Sequence, residues 1–227
     1  MEHEPHAKTN NLANIILGGQ DGLVAILGLI LGLVASTHSI RIILAGGLAA
    51  TFAESISMGA VAYTSNMADR DHYAAERKRE MEEVVKYPEQ ERSEVEEIFK
   101  SKGFGGKLLT EIVDHITSDK KLWVDTMMRE ELNLQLISKK DVYKAAYVVG
   151  LSTLAGSILP LIPFFFMHNA NNALVVALAI SVLTLAAVGI YKAKTTLGNP
   201  AKAAIEMVVI GMGAALAGYI IGQFFKQ

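Results

Sequence analysis

Five apolar runs of about 20 to 25 residues, broken by a single charged block, constrain this chain more than any other feature. A helix of that length covers the roughly 30 Å hydrocarbon core of a bilayer. Only helices and closed barrels satisfy their backbone polar groups in that medium, and these runs are too long and continuous for barrel strands. The expected fold is an all-α membrane protein with spans near residues 12–35, 40–67, 142–167, 173–191 and 203–225. The apolar share of 51% and the mean hydropathy of +0.31 agree, although the charged block dilutes both.

That block, residues 69–141, holds 18 of the 23 acidic and 14 of the 21 basic residues. Its apolar positions recur at helical spacing, and Pro88, the glycines 103, 105 and 106, and a capping Asp119 punctuate it. Its helices are too short and too charged to span. The expected division is 1–67 for the tail and spans one and two, 68–141 for a cytoplasmic acidic helical insert, and 142–227 for spans three to five. Lys192, Lys194 and Lys202 lie between spans four and five, whereas the loops after spans one and three carry only Arg41. The positive-inside tendency therefore places the N-terminus and insert in the cytoplasm and the C-terminus outside. An odd span count leaves no complete inverted repeat within one chain, so a closed pathway is expected between the subunits of a homodimer. The short termini point to a prokaryotic plasma membrane. The first residues lack the basic region, short apolar core and cleavage site of a signal peptide, so the first run is expected to stay.

Several function classes drop out. No basic face dominates, so nucleic acid is not an expected partner. Cysteine is absent, which removes disulfides and thiolate metal sites. The chain has no HExxH, GxGxxG or Walker pattern and no partnered nucleophile, so neither an enzyme nor a prosthetic group is expected.

The remaining chemistry lies in carboxylates and thioethers. Glu76, Glu80 and Glu83 stand three or four apart, as do Glu91, Glu94 and Glu97, and such spacing stacks each set on one helix face. Like charges there repel unless a cation lies between them. The plain alternative is a solvated surface balanced by Arg77, Lys78, Arg79 and Arg92. Met127 and Met128 precede Glu130 and Glu131. Two successive methionines point in different directions, so both cannot be buried in one stripe, and a thioether beside a carboxylate favours transition metals. Within the spans, Asp21 and Glu54 are costly charges that imply function, and Met58 lies one turn from Glu54. His3, His6, His38, His72, His115 and His168 read as structural or solvent-facing, and Glu206 as the i,i+4 partner of Lys202.

At these residues a resemblance emerges. Asp21-Gly22-Leu23-Val24, Ile56-Ser57-Met58-Gly59 followed by Tyr63, the Ile158 to Pro163 end of span three, Pro88-Glu89 with Glu91, and Met127-Met128 before Glu130-Glu131 resemble the vacuolar iron transporter family, in order and with similar spacing. The resemblance implies a five-span homodimer that exports Fe²⁺, and often Mn²⁺ or other divalent metals such as Zn²⁺ and Co²⁺, from the cytoplasm in exchange for protons. It also implies a pathway at the dimer interface, chiefly from spans one and two. Asp21 and Met58 match the family's pathway aspartate and methionine. Glu80, Glu83, Glu91, Glu94, Met127, Met128 and Glu131 match its cytoplasmic metal-binding residues. The chain departs from the pattern at Ala50, where the family has an acid, and at Val61-Ala62-Tyr63, where Gly-Glu-Tyr is common. Glu54, one turn from Ala50, is the expected substitute carboxylate. A sealed metal-responsive binding protein, and a transporter of another substrate on the same architecture, are the competing readings.

Overall fold

The computed structural model describes residues 6–195 and 198–225, with side chains from residue 12 onward, so His3 lies outside the described residues. α1 (His6–Ser36) and α2 (Ile40–Lys86) come first. The sequence suggested that span two would give way to a separate helix near residue 68. Instead α2 is one uninterrupted helix of 47 residues. No glycine or proline interrupts residues 60–86, so nothing in the backbone chemistry stops it. At 1.5 Å per residue it is about 70 Å long, more than twice the hydrocarbon thickness, and its charged end extends well past any single span.

Pro88 then ends the run and opens α3 (Pro88–Ser101), at a first-turn position where its missing N–H costs nothing. Gly103 and Gly106 have φ of 92° and 59°, backbone that favours glycine, and they turn the chain into α4 (Gly106–Ser118). Asp119 caps α5 (Lys120–Glu130), accepting from the Leu122 N–H at 2.9 Å. α5 stops at Glu130, and a non-helical connection follows with Asn133 at φ 51°.

α6 (Lys139–Ile158) leads into a 3₁₀ turn at Leu159–Leu161 and the short α7 (Ile162–Phe166). Pro160 and Pro163 each remove a helical donor there, and the chain tightens without leaving the span. Asn169 caps α8 (Ala170–Thr195), and Asn199 caps α9 (Pro200–Phe224). Five of these stretches are apolar and long enough to cross a membrane: Leu12–Ser36, the first part of α2, Lys139–Phe166, α8 and α9.

The chain divides into two compact units. The membrane unit runs to Tyr63 and resumes at Tyr143. Its main core joins Ile26, Ile30 and Val34 of α1 to Ile43 of α2, Leu161, Phe164 and the small residues Ala173 and Ala177 of α8. Glycines let backbones meet directly: any Cβ on Gly156 of α6 would collide with Gly19 of α1, and any on Gly218 or Gly222 of α9 with Gly28 or Gly32 of α1. The second unit, Thr64–Val142, has its own core of Val84, Val95, Leu109, Val113, Ile116, Trp123, Val124, Met127 and Met128. Each fully buried side chain of that size contributes about 1.5–3 kcal/mol.

Candidate metal site and membrane carboxylates

In the insert, the carboxylates that the family resemblance assigned to metal binding come from three elements. α2 supplies Glu80 and Glu83, α3 supplies Glu91 and Glu94, and Glu131 stands as the C-terminal cap of α5, its N–H bonded to the Met127 carbonyl at 3.0 Å. All five interact electrostatically. Glu80 and Glu91 are buried, at 2% and 5% exposure, and each has a carboxylate oxygen with no hydrogen-bond partner. A buried orphan carboxylate oxygen is costly unless a proton or a cation meets it.

The protonation equilibria follow from that arrangement. Burial, then the charges of Glu131 and Glu83, push the Glu80 carboxyl up to about 7, with Arg79 opposing and Glu94 adding a little. Burial, then Glu94, Glu80, Glu83 and Glu131, push Glu91 up to about 7. Glu131, although partly open to solvent, is also raised, by burial of its carboxyl and then by Glu94. Each shift has the two causes expected when like charges share a poorly solvated site.

The basic residues nearby mostly engage other acids, although Arg79 also reaches Glu83. Arg79 pairs with Glu76 at 2.7 Å and reaches Glu83 at 3.6 Å, Arg77 pairs with Asp125 at 2.9 Å, and Arg92 pairs with Asp114 and donates to Thr117. The balanced-surface alternative therefore accounts for Glu76, Asp125 and Asp114 and leaves Glu80 and Glu91 unexplained. Among the described residues, no three carboxylate or imidazole groups already form a closed cage for an ion. The five glutamates are a neighbourhood that a cation would draw together.

One expectation is corrected. Met127 and Met128 are both fully buried, in the same core cluster. Trp123, Val124, Met127 and Met128 together span an arc of about 140° on α5, computed at 100° per residue, and the insert's other helices cover all of it. Two adjacent thioethers therefore fit one core, on the helix that ends at Glu131.

In the membrane unit, Asp21 is exposed on α1, while Glu54 and Met58 are half-buried on α2. Asp21 and Glu54 are close enough for their charges to interact. Ala50 packs against the main apolar core, and Thr51 beside it is fully buried with an unpartnered hydroxyl. Ser157 and Ser181 are likewise buried with unpartnered hydroxyls. Sequence reasoning passed over these serines, because one hydroxyl in an apolar run usually bonds back to its own helix. His38, His115 and His168 are exposed, and Lys202 stands 3.8 Å from Glu206 as expected.

Comparison with known proteins brings these features together. A family model described as the VIT family matches residues 12–223. The chain is 31% identical over 225 residues to the vacuolar iron transporter 1 of Tulipa gesneriana, covering 98% of this chain and 91% of that one. It is 33% identical over 214 residues to vacuolar iron transporter 1 of Arabidopsis thaliana, covering 94% and 86%. It is 30% identical over 227 residues to the vacuolar iron transporter of Plasmodium falciparum, covering 96% and 83%. These relatives are eukaryotic and named for the vacuole, so they lend no weight to the expected prokaryotic plasma membrane.

Proposed function

The chain belongs to the VIT family, a transporter family and not a family of enzymes, and on that premise we propose that it exports Fe²⁺, with Mn²⁺ as a second substrate, from the cytoplasm in exchange for protons. The carrying observation is the pair of buried, unpartnered carboxylates Glu80 and Glu91 amid Glu83, Glu94 and Glu131. Hard oxygens from these residues, with the Met127 and Met128 thioethers on the neighbouring helix, suit a first-row divalent cation and disfavour Ca²⁺. The insert collects the ion, and Asp21, Glu54 and Met58 carry it through the membrane unit. Binding requires deprotonated carboxylates, and release is helped by protonation, so metal and proton fluxes oppose each other.

The pathway lies between two copies of the chain. In support, Asp21 is exposed on a span whose neighbours are apolar, and a bare carboxylate facing lipid is expensive. Covering it with a second subunit or with a water-filled route removes that cost. Glu54 takes the role of the acid absent at Ala50, since it shares α2 with Met58 and interacts with Asp21. The N-terminus and insert face the cytoplasm and the C-terminus the opposite side, in keeping with the lysines in the last turn of α8 and at the start of α9.

The test is uptake of Fe²⁺ and Mn²⁺ into proteoliposomes with an internal pH dye. Metal entry with opposing proton flow supports the proposal. Metal bound with no entry under either pH gradient would overturn transport and leave a metal-responsive binding protein.

A further inference from the structure

We propose that the insert holds a second site, separate from its carboxylates, that binds a phosphate-bearing organic anion in the cleft between α2 and the end of α5. The cleft has a volume of about 1000 Å³ and is lined by the cations Arg77, Lys78 and Arg129, the acids Asp125 and Glu130, and apolar residues such as Met81. Tyr73, Arg77 and Met81 recur every four residues on α2, with Lys78 beside them, so they share a face. Glu76, Glu80 and Glu83 centre on a different arc, about 120° away at 100° per residue. α2 thus carries an acidic face and a basic face within the same turns.

The charge in the cleft is only partly compensated, because both acids of its lining already have basic partners. Arg77 is held by Asp125 at 2.9 Å, and Glu130 is engaged by Lys102. Lys78 and Arg129 have no carboxylate partner among the described residues, and both are exposed. Acids outnumber bases 18 to 14 across residues 69–141, whereas the cleft lining holds three cations to two acids. The unpaired Arg129 guanidinium and Lys78 ammonium suit phosphate oxygens, which accept the planar fork of arginine in pairs.

The shape of the cleft narrows the ligand class. Its volume is at the upper end for small-molecule sites and far exceeds what inorganic phosphate fills. Met81 and Leu136 are 46% and 67% exposed, which offers apolar surface to the body of a ligand whose phosphate meets the cations. Two sources share that chemistry: the headgroup region of an anionic phospholipid, and a soluble organophosphate.

The experiment uses the metal-free full-length protein with Lys78→Gln/Arg129→Gln as the double variant and Lys107→Gln as control. Lys107 is exposed, pairs with Glu111, and lies outside the cleft. Inorganic pyrophosphate is titrated calorimetrically in neutral detergent, and lipid retention is measured in nanodiscs with and without phosphatidylglycerol. The expected result is saturable binding of one probe, weakened at least about tenfold in the double variant and unchanged in the control. Pyrophosphate binding identifies a soluble ligand, and selective phosphatidylglycerol retention identifies the lipid. Binding of neither probe, or equal weakening in the control, overturns the site. Should the double variant lose its helical melt, Lys78→Gln alone is expected to weaken binding about threefold or more, and no change there also overturns it.

Discussion

The hydroxyl of Ser55 donates to the carbonyl oxygen of Gly150 at 2.7 Å, tying α2 to α6 one residue after Glu54. One turn on, Gly59 meets Gly150 so closely that an added Cβ would stand 3.3 Å from the Ala146 carbonyl oxygen and 3.6 Å from the Gly150 Cα. These contacts set the rotation of α2, and hence where Glu54 and Met58 point.

Replacing Gly59 with Val is expected to push the two helices apart and reduce Fe²⁺ uptake about tenfold. Calorimetric metal binding by the full-length protein should change less than about twofold, because the insert has its own core. Equal loss of both would show that the seam supports folding in general and not the position of the pathway residues.

Asp21→Asn and Glu54→Gln should each abolish metal-driven proton movement while leaving metal binding intact. Both keep side-chain size and remove the ionisable oxygen that the proposed exchange requires. A Glu54→Gln protein that transports at the original rate across pH 6 to 8 would remove Glu54 from the route.

Glu80→Gln and Glu91→Gln are expected to weaken Mn²⁺ binding about tenfold or more each, since losing a ligand to a charged site costs more than a neutral hydrogen bond. Because both carboxyls sit at about 7, affinity in the unaltered protein should rise between pH 6 and 8, with up to about two protons released per ion. Each variant should flatten that slope by about one proton, as read by calorimetry in buffers of different ionisation enthalpy.

Stability of the metal-free insert should move the opposite way with pH. Folded Glu80 and Glu91 hold protons up to about 7, while the unfolded chain releases them near the ordinary glutamate value of about 4.3. The folded state therefore binds more protons in that window, and stability falls as pH rises through it. Trp123, the only tryptophan and buried in the insert core, reports this directly. Its thermal midpoint should fall from pH 5 to pH 8, and saturating Zn²⁺ should cancel the fall. A midpoint that rises over the same interval would contradict the assignment of buried, mutually repelling carboxyls.

Met127→Leu and Met128→Leu nearly conserve volume, so each should cost less than about 1.5 kcal/mol of insert stability. A thioether that ligates will nonetheless reveal itself: Co²⁺ affinity should fall relative to Mg²⁺ in whichever variant removes it. Unchanged selectivity in both would leave the two methionines as packing alone.

The five spanning helices and the helical insert were legible because run length and charge partition are governed by the bilayer's thickness and polarity. Pro88, the glycines after α3 and Asp119 marked their boundaries because each acts through its own backbone or cap. The length of α2 was not legible: a change from apolar to charged residues looks like a boundary, but the helix continues when no residue breaks it. The double burial of Met127 and Met128 was missed for a related reason. Period alone assumes one buried stripe, whereas α5 is covered over a wider arc. Spacing grouped Glu76 with Glu80 and Glu83, and Glu97 with Glu91 and Glu94, yet which of these lose water depends on neighbours contributed by three separate elements. Only the fold could distinguish Glu80 and Glu91 from Glu76, whose arginine partner is on its own helix.

The glycine contacts along α1 decide which parts of the membrane unit can act as moving parts. Backbone meets backbone on two sides of that helix, at Gly19 against Gly156 and at Gly28 and Gly32 against Gly218 and Gly222. Such surfaces have no flexible side chains to re-form a contact, so sliding or rolling α1 would drive a Cβ into a carbonyl. α1, α6 and α9 must travel as one stator. Asp21 is carried on that rigid group.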